Sequence, residues 1–484
     1  MYNVGMKAFR EKYQNLIAPL SLSLKSYFYG RTYLAMISLS TILSYALNQS
    51  LLGIIILCLC AVVALLLFDD LTPFMPLVML FMLNLKTWDI FLTPAPYIPL
   101  FFVFLALVFH FLIFCKKFKK GSLFLPIILV SIALLISGLF ADGIFNYYHK
   151  GLISRIGTGP IVLLIYLVFT NGINPPKNFD ITKYFCVSLV LLGLVCYADV
   201  FVNKHLFEKG VEGIVEHDVG WNNVNGVAAL ILVAIPAGFY LLIKSKKVIL
   251  WAAIIALLYR ALYLTGSDGC LGVSLVALPI LCIYAFLYAG KKLKFYLTGI
   301  ACVAVIFSLV IVTLSLIQTG TLPIVDKIQE NIFVDSGRTT IYKNALDLFA
   351  KYPIFGAGIG YAPEDNTLST SLILAYNFHS TFFHVIATMG GVGFIAYVYY
   401  FYKRYRLLMQ HHREFNVFMV MSFTFMEVYG MIDSCEFNIM PLMMIVTILL
   451  VVVEHNNKTE ELPLKKRQAN RLSFYFCYFL LSIT

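Results

Sequence analysis

Charge is what this sequence has least of. Only 13% of its 484 residues are Asp, Glu, Lys or Arg, while 60% are hydrophobic. A soluble globular domain usually carries about 25% charged residues to cover its water-facing surface. The shortage excludes a soluble globular protein and leaves a polytopic membrane protein. Lys and Arg number 36 against 25 Asp and Glu, an excess that suggests nucleic acid only where the cations form a water-facing patch. Here they stand in short segments between apolar runs, which is the pattern of membrane orientation, and nucleic acid is not an expected partner. Cysteine spacing is also uninformative. The ten Cys fall almost entirely inside apolar runs, and the one close pair, Cys58-x-Cys60, lies within a span. They read as small hydrophobes, neither a disulfide framework nor a metal site.

What is abundant is apolar length. A span needs about 20 apolar residues, and runs near that length stand at 32–48, 51–68, 71–85, 97–115, 123–141, 152–170, 183–201, 225–243, 247–264, 270–290, 294–317, 379–402, 415–432 and 438–453. The prediction is an all-α polytopic membrane protein of about 12–14 transmembrane helices, with one large outer loop carrying short amphipathic helices. Residues 1–31 hold Lys7, Arg10, Lys12, Lys25 and Arg31 with no cleavage site behind a short apolar core. They read as a basic cytoplasmic lead-in lying on the membrane surface, not a signal peptide.

The cationic segments 116–120, 244–247, 291–294, 403–406 and 465–467 alternate regularly with the spans, so all fall on one side. Because cytoplasmic connections are the ones rich in Lys and Arg, both termini are expected in the cytoplasm. The outer face then receives 86–96, 142–151, 202–224, 265–269, 318–378 and 433–437. The resulting organisation is a basic N-terminal segment (1–31), a bundle of about 11 helices (32–317), a large outer loop (318–378), further transmembrane helices (379–453) and a basic cytoplasmic tail (454–484).

The outer loop holds most of the polar chemistry. Apolar positions 341, 345, 348 and 349 recur at helical spacing, predicting an amphipathic helix from about Arg338 that Tyr352-Pro353 stops and Ser336 caps. Arg338 would occupy its first turn, where the helix dipole prefers an acid, and a cation there points to an anionic ligand gripped by guanidinium and amides together. Gly356, Gly358 and Gly360 suit a tight, surface-hugging loop. They are no nucleotide fingerprint, since no strand precedes them. His379 stands where the loop meets the next apolar run, with His384 five positions on and about 140° around an ideal helix. A packing histidine and a functional one both fit it.

Two further cations are candidates. Arg260 falls inside an apolar run, where a charge costs at least a few kcal/mol. It either faces a polar cavity or an anion, with Asp268 as a possible partner, or snorkels to the interface. Arg155 lies at the outer mouth of its span, and an interfacial anchor is its simpler reading. The segment 202–224 holds Glu212, Glu216, His217 and Asp218 in a spacing that matches no metal-ligand pattern.

Ser336-Gly337-Arg338, Ala345-Leu346, Pro353, Phe355-Gly356-Ala357-Gly358-Ile359-Gly360, His379 and Gly390-Gly391-Val392-Gly393-Phe394 together resemble the signature of the O-antigen ligase and polymerase (Wzy-type) family. The motif covers about sixty residues, and the hydropathy plan extends the likeness over most of the chain. Two positions differ: Ser380 follows the histidine where the family often has Asn, and Ser267-Asp268-Gly269 stands where it often has Ser-Arg-Gly.

The resemblance implies a GT-C-like plan and an inverting, metal-independent glycosyltransferase without cofactor, whose donor is a glycan on a polyprenyl diphosphate. His379 and Arg338 would be catalytic, with Arg338, Arg260 and Arg155 on the diphosphate. The expected activity is polymerisation of repeat units of a surface polysaccharide, O-antigen or capsule, at the outer face of the bacterial plasma membrane. Expected partners are the lipid-linked donor, a glycan acceptor, membrane lipids, a flippase and a chain-length regulator. A ligase moving finished glycan to a lipid or wall acceptor uses the same donor chemistry and is the nearest rival. A flippase or transporter is the rival outside the enzymes, although no internal repeat of the kind such folds show is visible.

Overall fold

The computed structural model describes residues 2–47, 49–84, 94–115, 117–141, 158–202, 224–291, 293, 294, 296, 338–361, 378–433, 437 and 439–459. Several expectations fall outside these residues. They are the span at 294–317 beyond its first residues, the Ser336 cap, Arg155, the acidic segment 203–223, and the tail from 460.

Among the described residues there are fifteen α-helices and no strand. In chain order they are α1 (Tyr2–Phe28), α2 (Arg31–Ala46), α3 (Ser50–Leu67), α4 (Met75–Phe81), α5 (Tyr97–Phe114), α6 (Phe124–Leu135), α7 (Thr158–Gly172) and α8 (Ile181–Val202). There follow α9 (Val224–Lys244), α10 (Val248–Thr265), α11 (Asp268–Tyr288), α12 (Arg338–Lys351), α13 (Thr381–Leu408), α14 (Glu414–Gly430) and α15 (Met440–Thr459). Eight of them, α3, α5, α8, α9, α10, α11, α13 and α15, are long and apolar enough to cross a membrane. Each apolar run read from the sequence overlaps one of the fifteen helices except 294–317, most of which lies outside the described residues, but the runs at 71–85 and 123–141 hold only the short helices α4 and α6. The protein is an all-helical, multi-pass membrane protein.

The centre of the bundle is α9. Its neighbours are α8, α10, α11, α14 and α15, and small residues on facing helices let them approach. A Cβ on Gly193 of α8 would stand 2.8 Å from Leu258 of α10, and one on Gly238 of α9 would stand 3.0 Å from Ile255. Close backbone approach is how helices associate where the surrounding lipid is as apolar as they are. At the other extreme, α5 turns Phe101, Phe102, Phe104 and Leu105 outward, as a lipid-facing helix must.

The connections sort into two ends. At one, the Tyr29 hydroxyl donates to Asp70 (2.6 Å), the Asn174 amide donates to the same carboxylate (2.7 Å), and Tyr166 and the Ser122 amide both donate to Glu454 (2.7 and 2.9 Å). Lys244 pairs with Glu414 there at 3.3 Å. At the other end, residues 136–141, 265–268, 338–361, 378–380 and 430–433 meet. The functional candidates lie at this second end.

One basic segment differs from expectation. Residues 403–406 do not form a loop: α13 continues to Leu408 and carries Arg404 into the core at 1% exposure. Its guanidinium carbon stands 4.0 Å from the Tyr400 ring centre and 4.7 Å from that of Phe423, while Nη2 approaches Glu427 Oε1 of α14 at 3.5 Å. Tyr397 donates to the other Glu427 oxygen at 3.0 Å. The aromatic cage and the carboxylate together make a cation tolerable at this depth. Removing one partner strands the other charge, at a cost of about 3–5 kcal/mol. Arg404→Ala and Glu427→Ala are therefore each expected to lower the melting temperature of the detergent-solubilised protein strongly, whereas replacing both with Met recovers most of the loss. Equal losses in the single and double variants would show that the pair is not what holds α13 to α14.

Candidate active site

The site begins with a helix that is broken on purpose by sequence. At Gly390 the backbone of α13 takes φ 63°, ψ −163°, which orphans carbonyls before the break and amides after it. In a water-free environment each such group costs several kcal/mol unless it finds a partner. The segment after α12 supplies those partners. The Ala357 and Gly358 amides donate to the Ala387 and Thr388 carbonyls (2.8 and 2.9 Å), and the Gly391 and Val392 amides donate to the Pro353 and Ile354 carbonyls (2.8 and 3.1 Å).

Contact this close needs glycine on both sides. Gly356 has φ 70°, and a Cβ there would land on the Thr388 carbonyl and 2.5 Å from the Met389 nitrogen. A Cβ on Gly390 would stand 2.5 Å from the Gly356 nitrogen. The tight loop read at Gly356, Gly358 and Gly360 is laid against α13. Residues 356–359 are buried and splice the break in α13. Two further bonds tie the splice to the end of α6: the Gly138 amide donates to the Phe355 carbonyl (2.9 Å), and the Ile359 amide to the Ser137 hydroxyl (3.2 Å).

The splice fixes α12 against the upper part of α13. Ala345 is fully buried with Phe378 and Ala387, and Ile341 and Leu348 pack beside them, which is the apolar stripe expected of this helix. It begins at Arg338. One turn on, Tyr342 stacks on Phe383 with ring centres 4.4 Å apart and planes 15° from parallel, and its hydroxyl donates to the backbone carbonyl of His379 at 3.1 Å. Arg338 and His379 thus share Tyr342 as a neighbour. Burial raises the Tyr342 phenol pKa, the Arg338 charge acts against that rise, and Asp433 adds to it.

His379 itself is held in a left-handed backbone conformation (φ 47°) between two buried residues, Phe378 and Ser380. For a residue with a Cβ this costs about 1 kcal/mol or more and survives only where neighbours dictate it. The conformation leaves the imidazole 35% exposed while Nδ1 stands 3.2 Å from Oδ1 of Asp433, whose side chain is 7% exposed. A buried carboxylate beside Nδ1 favours the tautomer with its proton on that nitrogen, which leaves the Nε2 lone pair for chemistry. Tyr429, four residues earlier in α14, donates its hydroxyl to Asp433 Oδ2 at 3.3 Å, and the Ser267 hydroxyl lies 3.5 Å from that of Tyr429.

Not every sequence candidate converges here. Arg260 lies on the exposed face of α10 and forms no ion pair with Asp268 or any other described residue. Asp268 is exposed as well, while its neighbours Ser267 and Gly269 turn inward onto Tyr429; a Cβ on Gly269 would stand 3.1 Å from its ring. Three residues of the cluster carry no role in the sequence reading: Tyr342, Tyr429 and Asp433. Their signal was a spacing, a tyrosine and an acid four apart at the outer end of a span, on a segment the alternation brings to the same face as His379.

No curated protein matches the chain. Residues 251–398 match a family model described as O-antigen ligase, and that stretch contains most of α10, α11, α12, the glycine splice, Arg338 and His379. With the helical architecture, this makes the protein a multi-pass membrane protein whose residues 251–398 are similar to the O-antigen ligase family.

Proposed function

We propose that the protein is an inverting glycosyltransferase that joins polyprenyl-diphosphate-linked repeat units into a surface polysaccharide at the outer face of the bacterial plasma membrane, both termini being cytoplasmic. The observation that carries this reading is Asp433 standing 3.2 Å from Nδ1 of His379, whose carbonyl accepts from Tyr342, one turn along α12 from Arg338. The acceptor hydroxyl gives its proton to His379 Nε2 as its oxygen attacks the anomeric carbon, and the bond from that carbon to the diphosphate oxygen breaks. Asp433 stabilises the imidazolium so formed, and the proton leaves to solvent. The departing diphosphate is already a good leaving group. The site has only to orient it and neutralise its charge, which Arg338 does by paired hydrogen bonds. No step calls for a metal or a cofactor. Because the basic segments gather at the end opposite the site, the site faces outward.

A second reading is favoured by the matched family's description: a ligase that moves a finished glycan onto a lipid or wall acceptor. Donor, base and cation are the same, and only the acceptor differs. Purified protein incubated with a polyprenyl-diphosphate repeat unit separates them. A ladder of products is expected here, and a single transfer to a supplied second acceptor would establish the ligase instead. No product with either acceptor, from protein that binds the donor, would overturn both.

A further inference from the structure

The cluster around His379 does not end at its carboxylate. We propose that Tyr429 is a positioning residue for the reaction, acting on His379 only through Asp433, with Ser267 behind it. The inference rests on the glycosyltransferase reading above. Asp433 lies just beyond α14 and is held by Tyr429 twice. Its amide donates to the Tyr429 carbonyl at 2.9 Å, and its Oδ2 accepts the Tyr429 hydroxyl at 3.3 Å. The carboxylate's other oxygen is the one that faces Nδ1 of His379.

A carboxylate with one oxygen fixed cannot swing away from the imidazole, and its charge is shared with the phenol. The tyrosine in turn has little freedom. It is buried, its ring lies against Gly269, and its hydroxyl meets Ser267 and the Cys270 thiol. Ser267 and Gly269, on either side of the exposed Asp268, thereby serve α14 across the α10–α11 turn. The chain of contacts runs from the first turn of α11 through Tyr429 and Asp433 to the base. The other titratable groups near this chain are Arg338 and Tyr342 on α12 and Cys270 on α11.

Tyr429→Phe tests the proposal, because it keeps the ring against Gly269 and the backbone bond while deleting the hydroxyl. Without that donor the negative charge on Asp433 is less delocalised and attracts the protonated imidazole more strongly. The acid limb of the rate profile for lipid-linked glycan transfer should move up by about half a pH unit, and the plateau rate should fall about tenfold with the donor KM unchanged. In an Asp433→Asn background the same substitution should cost less than about twofold, since a residue acting through Asp433 has nothing left to act on. Ser267→Ala should shift the limb in the same direction by less, and it supplies the profile if Tyr429→Phe is too slow to titrate.

His379→Ala is run alongside. If it turns over as fast as wild type, the reading of His379 as the base fails. If it is inactive while Tyr429→Phe and Ser267→Ala keep the wild-type limb, or Tyr429→Phe costs its full factor again beside Asp433→Asn, the positioning role fails by itself.

Discussion

His379→Ala should lower the turnover of lipid-linked glycan by about 10²–10⁴-fold, the range for losing a positioned general base, while the protein stays folded in the membrane. The side chain is more than a third exposed and packs little, so its loss leaves Phe378, Ser380 and the start of α13 where they are. Alanine at this left-handed position also keeps a Cβ, so the backbone strain is unchanged. Arg338→Ala should be comparably severe but of a different kind. A guanidinium that neutralises a departing diphosphate acts on binding and on the transition state together, so donor KM rises as the rate falls. Arg338→Lys should recover only part of this, because an ammonium makes point contacts where guanidinium makes paired ones. Turnover of radiolabelled donor at saturating and limiting concentrations reads both quantities. Wild-type rates in His379→Ala would remove the imidazole from the mechanism.

Gly356→Ala should be strongly damaging, and its effect should be on folding. The added methyl would strike the Thr388 backbone at a site where φ 70° is itself unfavourable for alanine. Neither side can retreat without giving up the amide-to-carbonyl bonds that repair α13. The combined cost of overpacking and unpaired backbone in an apolar setting is on the order of 3–5 kcal/mol, enough to unfold a marginally stable domain. Gly272→Ala in α11 is the matched control. Nothing lies within 4 Å of a Cβ there, and helix propensity makes the change neutral or mildly stabilising. Fluorescence-detected size-exclusion of tagged protein should show aggregation or loss for the first and a normal peak for the second. A normal, active Gly356→Ala protein would contradict the splice.

The contrast between these two glycines marks where sequence reasoning stops. Helices were legible because hydropathy acts locally: each run in the described residues overlaps a helix, although 71–85 holds only Met75–Phe81 and 123–141 only Phe124–Leu135. The amphipathic helix from Arg338 was legible for the same reason, its apolar stripe at 341, 345 and 348 becoming the contact with Phe378 and Ala387. The splice was not, since a glycine loop at 356 and a glycine pair at 390 make sense only when laid against each other across thirty residues. Arg404 misled because a cation in a basic cluster near a span's end looks like an interfacial charge. Only the neighbouring α14, with Glu427 and Phe423, turns it inward.

The site follows the same division. His379 and Arg338 stood out as polar residues in apolar or strained surroundings, and family resemblance named them. Asp433 and Tyr429 looked like ordinary residues at the end of a span. What gives them meaning is the α10–α11 turn, which places Ser267 and Gly269 against the tyrosine. Arg260 shows the converse. Its position within an apolar run marked it for attention, yet the helix turns it to the exposed face, away from His379 and Asp433.

The account's central claim is that one cation grips the lipid diphosphate while one imidazole takes the acceptor proton. Binding of an unreactive polyprenyl diphosphate to wild-type, Arg338→Ala and His379→Ala protein, each reconstituted in nanodiscs, separates those two roles. His379→Ala should bind with the wild-type dissociation constant and transfer nothing, whereas Arg338→Ala should bind at least about tenfold more weakly, the loss of one charge-assisted contact. Unchanged binding by Arg338→Ala would contradict the account.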